Sequence, residues 1–277
     1  MTSPSGLDHP LASYAVHTMT NKPWTLAQCC DRYASAGFGG VSVWRNVIEP
    51  IGFGEAATIV RGSGLRVPSL VRGGFFVSSS PSERQRAVDD NKRCLDEAAA
   101  IGADMVVLVP GAEPGLPLEQ ARGQVADGIA SCLPHADSVG VRLAIEPLHP
   151  MYAADKSCIN RAREARLVCE KLDDPLVGVA IDAYHVWWDP ELASEITELG
   201  RQGRLFGFHV CDWRIETRHL LTDRAIPGEG CINLQQLDAW MAAAGFQGAV
   251  EIEIFSEEHW SDDQDAYLGR LRSAVSP

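Results

Sequence analysis

Eight short apolar runs recur along this chain, each followed by a stretch of helical periodicity. That alternation limits what the chain can fold into more than any other feature. The runs fall near Ser13–His17, Val41–Trp44, Val67–Val71, Asp104–Val109, Val141–Glu146, Val177–Asp182, Leu205–Val210 and Ala249–Ile254. Most are apolar throughout rather than alternating with polar residues, as parallel strands buried on both faces require. The intervening stretches carry helix signals. Thr25 with Gln28, and Ser80 with Glu83 behind Pro81, read as capping boxes. Asn233 precedes an apolar stripe of Leu234, Leu237, Met241 and Ala244. Gly37, Gly102, Gly140 and Gly245 each follow a helical pattern, where a left-handed residue ends the helix. Pro134 falls inside one pattern and is expected to kink or split it.

Strand–helix alternation builds either a doubly wound open sheet or a closed barrel. Eight units, and no G-x-G-x-x-G fingerprint after the first strand, favour the barrel. No low-complexity linker divides the 277 residues, so the expectation is one α/β domain over 1–277, a (β/α)8 TIM barrel. With 24 basic against 37 acidic residues the net charge is −13. Nucleic-acid backbones and anionic membranes call for basic patches, so neither is expected as a partner. The eight cysteines form no C-x-x-C pair and several lie in apolar patterns, as buried reduced thiols do. Residues 1–10 lack an apolar signal core, and no run approaches the roughly 18 apolar residues of a membrane span. A cytoplasmic protein is expected, and a homo-oligomer is compatible with the sequence.

Four apolar runs in the second half finish on a metal-binding type of side chain: Leu143-Ala144-Ile145-Glu146, Val179-Ala180-Ile181-Asp182, Leu205-Phe206-Gly207-Phe208-His209 and Val250-Glu251-Ile252-Glu253. A barrel builds its site in this way, with several strand ends donating one group each. A carboxylate ending an apolar strand is costly unless it is paired or metal-bound. Three carboxylates and an imidazole suit one divalent cation, Mn²⁺ best, with Mg²⁺, Co²⁺ or Zn²⁺ compatible. Glu251 and Glu253 face the same way, since strand side chains alternate. Glu251 lies deeper and can pair with an Arg low in the barrel, such as Arg142. Glu253 is nearer the strand end and is the expected ligand.

At these positions the chain resembles the xylose-isomerase-like TIM-barrel superfamily of sugar isomerases and epimerases. Its members include ketose 3-epimerases, hydroxypyruvate isomerase, inosose dehydratase and the endonuclease IV branch. The resemblance is most specific at Ala144-Ile145-Glu146-Pro147-Leu148, Asp182-Ala183-Tyr184-His185, His209-Val210-Cys211-Asp212-Trp213-Arg214, Pro227-Gly228-Glu229-Gly230 and Gly245-Phe246-Gln247-Gly248 leading to Glu253. It implies that Glu146, Asp182, His209 and Glu253 hold one divalent metal. It also implies that Glu146 and Glu253 remove and return a proton on carbon through a metal-stabilised enediolate. His185 is then expected on a substrate oxygen. Arg214 is expected as a substrate clamp, with a surface pairing to Asp212 as its alternative. The endonuclease branch needs further His and Glu ligands that cannot be placed here.

Weaker candidates surround these. His17 ends the first strand and is expected to touch substrate. Trp44 ends the second and offers an aromatic face to a sugar; Arg45 follows it, and Arg72 ends the third. His149, just past Glu146, is a further substrate candidate. Trp187 and Trp188 either wall the pocket or pack an interface. The segment Arg214–Ile226 is longer than in the shorter epimerase loops and is a place for selectivity.

Three functions fit. The first is a metal-dependent isomerase or epimerase of a ketose or related polyol. The second is a lyase or dehydratase that eliminates water or an aglycone from a keto-sugar, inosose or 3-keto-glycoside. The third is a non-catalytic sugar- or metal-binding barrel. A leaving-group acid over the pocket, such as His149 or His17, would favour the second.

Overall fold

The computed structural model describes residues 3–276. Strands β1 (Tyr14–His17), β2 (Gly40–Trp44), β3 (Val67–Gly74), β4 (Ala103–Val109), β5 (Arg142–Ile145), β6 (Val177–Asp182) and β7 (Leu205–Val210) lie in chain order around a closed barrel. A two-stranded antiparallel ribbon, β8 (Asp212–Trp213) with β9 (Arg224–Ala225), stands above β7. Strand β10 (Val250–Ile252) pairs in parallel with both β1 and β7 and so shuts the barrel. The expected eight-stranded parallel barrel is the one found.

The outer layer is α1 (Leu26–Ala36), α2 (Phe53–Ser63), α3 (Pro81–Ile101), α4 (Leu118–Val139), α5 (Ala162–Leu172), α6 (Ala183–Val186), α7 (Leu192–Arg201), α8 (Leu234–Ala243), α9 (Glu257–Ser261) and α10 (Gln264–Val275). The Thr25–Gln28 capping box forms, and Asn233 accepts from the Gln236 N–H at 3.1 Å. The second expected box does not form: Ser80 Oγ bonds to Ser82 Oγ instead, and Pro81 alone marks the first turn. Helix α4 runs unbroken through Pro134, which corrects the expected split. The missing N–H affects an exposed turn, while Val125, Ile129, Cys132 and Ala136 hold the opposite face on the barrel.

The main core lies between strands and helices. A second cluster, Val71, Met105, Val107, Ala144, Ala180 and Phe206, fills the barrel below the ligand-bearing ends. The β6–β7 register shifts beside Phe206, and its ring covers Gly178; a Cβ there would come within 2.5 Å of that ring. The interior is therefore a plug, and chemistry is left to its upper end. All eight cysteines are unbridged, seven of them buried. No helix among the described residues is long and apolar enough to cross a membrane.

Candidate metal centre and active site

Strands β5, β6, β7 and β10 are neighbours in the barrel, so their ends present side chains to one another. Glu146 and Glu253 stand one residue past β5 and β10. Each is still tied into the ladder, its N–H bonding to Leu108 O at 3.1 Å and to Val210 O at 3.0 Å. Asp182 is the last residue of β6, and its Oδ1 caps α6 by accepting from the Tyr184 N–H at 2.8 Å. One ligand-type atom from each of Glu146, Asp182, His209 and Glu253 lies within 4.8 Å of the others. All four side chains are buried.

The charge on this cluster is unbalanced, and its proton affinities show it. Burial pushes Asp182 up to about 7, helped by Glu146 and Glu253 and opposed by Arg224. Burial works against charge on His209, yet Glu251, Glu146 and Glu253 outweigh it and push the imidazole up to about 10. The site therefore recruits protons where a divalent cation would compensate the same carboxylates. His209 also has the orientation a ligand needs. Its Nδ1 faces Glu146 Oε1 at 3.0 Å, while its Nε2 faces Glu251 Oε1 at 3.7 Å. Metal-binding histidines characteristically offer the far nitrogen to a carboxylate in this way. The residues fit a single hard or borderline divalent ion.

Glu251 lies beneath this cluster, 1% exposed, and accepts from Ser42 Oγ at 2.7 Å and Ser69 Oγ at 2.5 Å. The expected partner Arg142 is not among these contacts; its guanidinium lies 4.6 Å from the Phe206 ring centroid. Glu251 thus supports His209, and Glu253 is the strand-end carboxylate that joins the other three.

Several expected substrate contacts are placed differently. His17 is wholly enclosed between Glu253 (3.0 Å) and Glu251 (3.5 Å), with its ring edge-on to His209. It orients carboxylates rather than touching substrate, because the closing of β10 on β1 buries it. Arg214 pairs with Asp223 at 3.0 Å and lies 3.6 Å from Glu258, away from the mouth. Asp212 is not its partner; that carboxylate accepts from the N–H groups of Trp213, Gly228 and Ile232. His149 stands behind the site against Trp188 and Trp213, and its N–H reaches His185 Nδ1 at 3.3 Å. Trp188 donates to His185 O at 2.8 Å, and Trp187 packs on Trp213 while remaining partly exposed.

A cavity of about 120 Å³ opens above the ligands and is bordered by Trp44, Glu146, His185, Arg224, Glu253 and Phe255, among others. His185 Nδ1 accepts from the His149 N–H, while its Nε2 lies 3.4 Å from Arg224 and 3.6 Å from Asp182 Oδ2. Burial, reinforced by Arg224, holds it well below the usual histidine range, so it is neutral.

Arg224, which the sequence offers only as one of the basic residues Arg214, Arg218, His219 and Arg224 of the Arg214–Ile226 segment, is the one the fold carries into the site. It is 3% exposed, and its guanidinium reaches Glu253 Oε2 at 2.9 Å, Asp182 Oδ2 at 3.3 Å and His185 Nε2 at 3.4 Å. The β8–β9 ribbon carries it back over the barrel. The apolar Ala225-Ile226 that follows it marks the chain as re-entering the core. Tyr152 and Tyr184 both donate to Leu220 O, at 3.0 and 2.9 Å, and fasten the same loop over the mouth.

Among curated proteins, the chain is 24% identical over 192 residues to an inosose isomerase of Halalkalibacterium halodurans, covering 67% of this chain and 65% of that protein. The match thus spans just under two thirds of that relative. A 3-dehydroshikimate dehydratase of Pseudomonas putida is 23% identical over 248 residues, 84% of this chain and 36% of that protein. Among solved structures, a Sinorhizobium meliloti 1021 protein is 43% identical with a TM-score of 0.91, over 95% of this chain and 96% of that one. The IOLI protein with a binding zinc atom has the same fold at 17% identity and a TM-score of 0.82, over 95% and 96% of the two chains. The sequence model of one family runs through residues 30–273, almost the whole barrel, and the chain belongs to the xylose isomerase-like TIM barrel family.

Proposed function

We propose that this protein is a divalent-metal-dependent isomerase or epimerase of a ketose, inosose or related polyol. The observation that carries the reading is the convergence of Glu146, Asp182, His209 and Glu253 to within 4.8 Å beneath one cavity. A divalent cation held by these four would polarise a substrate carbonyl and stabilise negative charge on neighbouring oxygens. Zinc in the IOLI protein and the ligand chemistry leave Mn²⁺, Mg²⁺, Co²⁺ and Zn²⁺ as candidates.

The chain's own residues supply the remainder. Glu253 has both oxygens engaged, by His17 and by Arg224. Although burial opposes it, these cations hold its carboxyl well below the usual glutamate range. It is therefore a weak base. Glu146 has one oxygen on His209 and borders the cavity, so it is the better placed to take a proton from substrate carbon. Glu253 stands across the cluster to return one. Neutral His185 and Arg224 are placed to stabilise an oxyanion as it develops. The loop held by Tyr152 and Tyr184 keeps water from the mouth.

Elimination from a keto-substrate is the second reading, and the relationship to the P. putida dehydratase favours it. Neither His149 nor His17 borders the cavity, which removes the two leaving-group acids expected for that reading. The test is metal-loaded protein in D₂O with ketoses, inososes, 3-keto-glycosides and their carboxylate analogues. Deuterium on carbon without loss of mass supports isomerisation, and release of water or aglycone supports elimination. Metal-replete protein that exchanges no carbon-bound proton on any of them refutes both.

A further inference from the structure

One half-buried cation at the mouth has no hydrogen-bond or carboxylate partner among the described residues. Arg72, on β3, borders the cavity above the ligand cluster. Among the described residues its guanidinium makes no hydrogen bond, and no carboxylate lies within ion-pair distance. Of the other cations nearby, the exposed Lys22 lies 4.3 Å from the Trp260 ring centroid, and the rest are ion-paired. Arg224 is held by Asp182 and Glu253, Lys156 by Asp155 at 2.8 Å, and Arg45 by Asp90 at 2.9 Å and Glu97 at 2.7 Å. Leaving a half-buried arginine unmatched in a protein of net charge −13 is not a consequence of scarce carboxylates.

Arg72 is also packed against aromatic rings. Its guanidinium carbon lies 4.5 Å from the Phe75 ring centroid and 6.0 Å from that of Trp44. Stacking of this kind leaves the N–H fork free to point along the plane. Burial keeps its proton affinity below the ordinary guanidinium value, and Glu146 and Glu253 only partly offset that. Position adds a further constraint. Arg72, Trp44 and Val71 border both the cavity and a second groove of about 460 Å³ that also carries Lys22 and Arg45. A molecule whose reacting carbons sit over Glu146 and Glu253 therefore reaches Arg72 with its far end.

We propose that Arg72 is the receptor for a carboxylate on the substrate, so that the enzyme acts on an acidic keto-polyol, open-chain or cyclic, rather than on a neutral ketose. A planar fork between two aromatic faces matches a planar carboxylate through two parallel N–H···O bonds. The proposal rests on the catalytic reading above and narrows its substrate class.

The test uses the metal-loaded full chain and isothermal titration with D-gluconate, its neutral counterpart D-glucitol, and inorganic phosphate. The wild type is expected to bind gluconate about ten- to a hundredfold more tightly than glucitol, the ordinary worth of a charge-assisted hydrogen-bonded pair. Arg72→Gln should bring that ratio close to one, while Arg72→Lys, which keeps the charge and most of the stem, restores part of it. Melting temperature and metal content on the same samples establish that each variant is folded and loaded. Equal affinity for gluconate and glucitol in the wild type overturns the proposal. So does a gluconate preference that survives Arg72→Gln, since the metal alone then captures the carboxylate. Phosphate binding that is tighter than gluconate and dependent on Arg72 overturns the carboxylate assignment. An Arg72-dependent gluconate preference in a protein that exchanges no substrate proton upholds this proposal and removes the catalytic reading. Exchange on neutral ketoses with no gluconate preference does the reverse.

Discussion

Glu251→Gln distinguishes a ligand from a group that supports one. The substitution keeps shape, and an amide oxygen can still accept from Ser42 and Ser69. What it removes is the charge 3.7 Å from His209 Nε2 and 3.5 Å from His17 Nε2. At an effective dielectric of about 20, a charge pair at the His209 distance is worth about 4–5 kcal/mol. Breaking a buried pair by removing one member commonly costs about 3–5 kcal/mol. For a chain of this size that corresponds to a fall in melting temperature of about 5–15 °C. The pH window follows from the two shifts. Burial pushes Glu251 up, but His209 and His17 outweigh it and lower its carboxyl below 4.5. Its contribution is thus present above 4.5 and disappears as pH falls through the folded value. That of His209, pushed up to about 10, is complete below 6.5 and disappears as pH rises through 10. In chelator, the difference between wild type and variant should be greatest between about pH 5 and 6.5, decline progressively towards pH 10, and shrink as pH falls through the folded Glu251 value. With Mn²⁺ present, losing the carboxylate charge that faces His209 Nε2 should weaken affinity about ten- to a hundredfold while leaving one ion per chain. Glu253→Gln, which removes a donor atom, should abolish stoichiometric binding. Calorimetric titration with Mn²⁺ and melting curves across pH check both. Loss of the ion in Glu251→Gln with full retention in Glu253→Gln would refute the reasoning.

Cation binding should release protons: with His209 at about 10 and Asp182 at about 7, affinity should rise about tenfold per pH unit between pH 7.5 and 9.5 and more steeply below pH 6.5. Titration in buffers of different ionisation enthalpy counts the protons, and a pH-independent affinity contradicts the assignment. Arg224→Gln should lower proton exchange at least about a hundredfold, as loss of a charge stabiliser does, whereas Arg214→Gln should stay within about threefold. The opposite order, measured in D₂O with metal content matched, would return the clamp to Arg214. Gly178→Val should lower stability by at least about 1–3 kcal/mol through collision with Phe206, read as a shifted denaturant midpoint. An unchanged midpoint would mean that the barrel plug is not packed as described.

The strands were legible because burial on both faces leaves little room for polar residues, and Val177–Asp182 and Leu205–Val210 coincide with the observed strands. Glu146, Asp182, His209 and Glu253 were legible for a related reason: a carboxylate or imidazole closing such a run has few inexpensive explanations. What was not legible depends on partners distant in the chain. Arg224 reaches the site only because β9 pairs with β8 across an exposed loop, and local pattern carries almost nothing of that pairing. His17 looked like a substrate contact because it ends a strand. Its enclosure by Glu251 and Glu253 becomes visible only when the last strand sits beside the first. Ser80 has the right residue type for a cap, but Ser82 is a competing partner at 2.9 Å.

Strand β10 is both the stave that closes the barrel and the one that delivers Glu253. Three ligands can be assembled by an open seven-stranded sheet, but the fourth arrives only with closure. A cation bound by all four therefore acts as a clasp. It stabilises the shut barrel over any open form by RT ln(1 + [M]/Kd), about 2.7 kcal/mol at a hundredfold excess over Kd. An ion that needs all four ligands would be captured only once β10 has joined the barrel. Cellular metal supply then bears on how much folded protein accumulates as well as on how fast each molecule turns over.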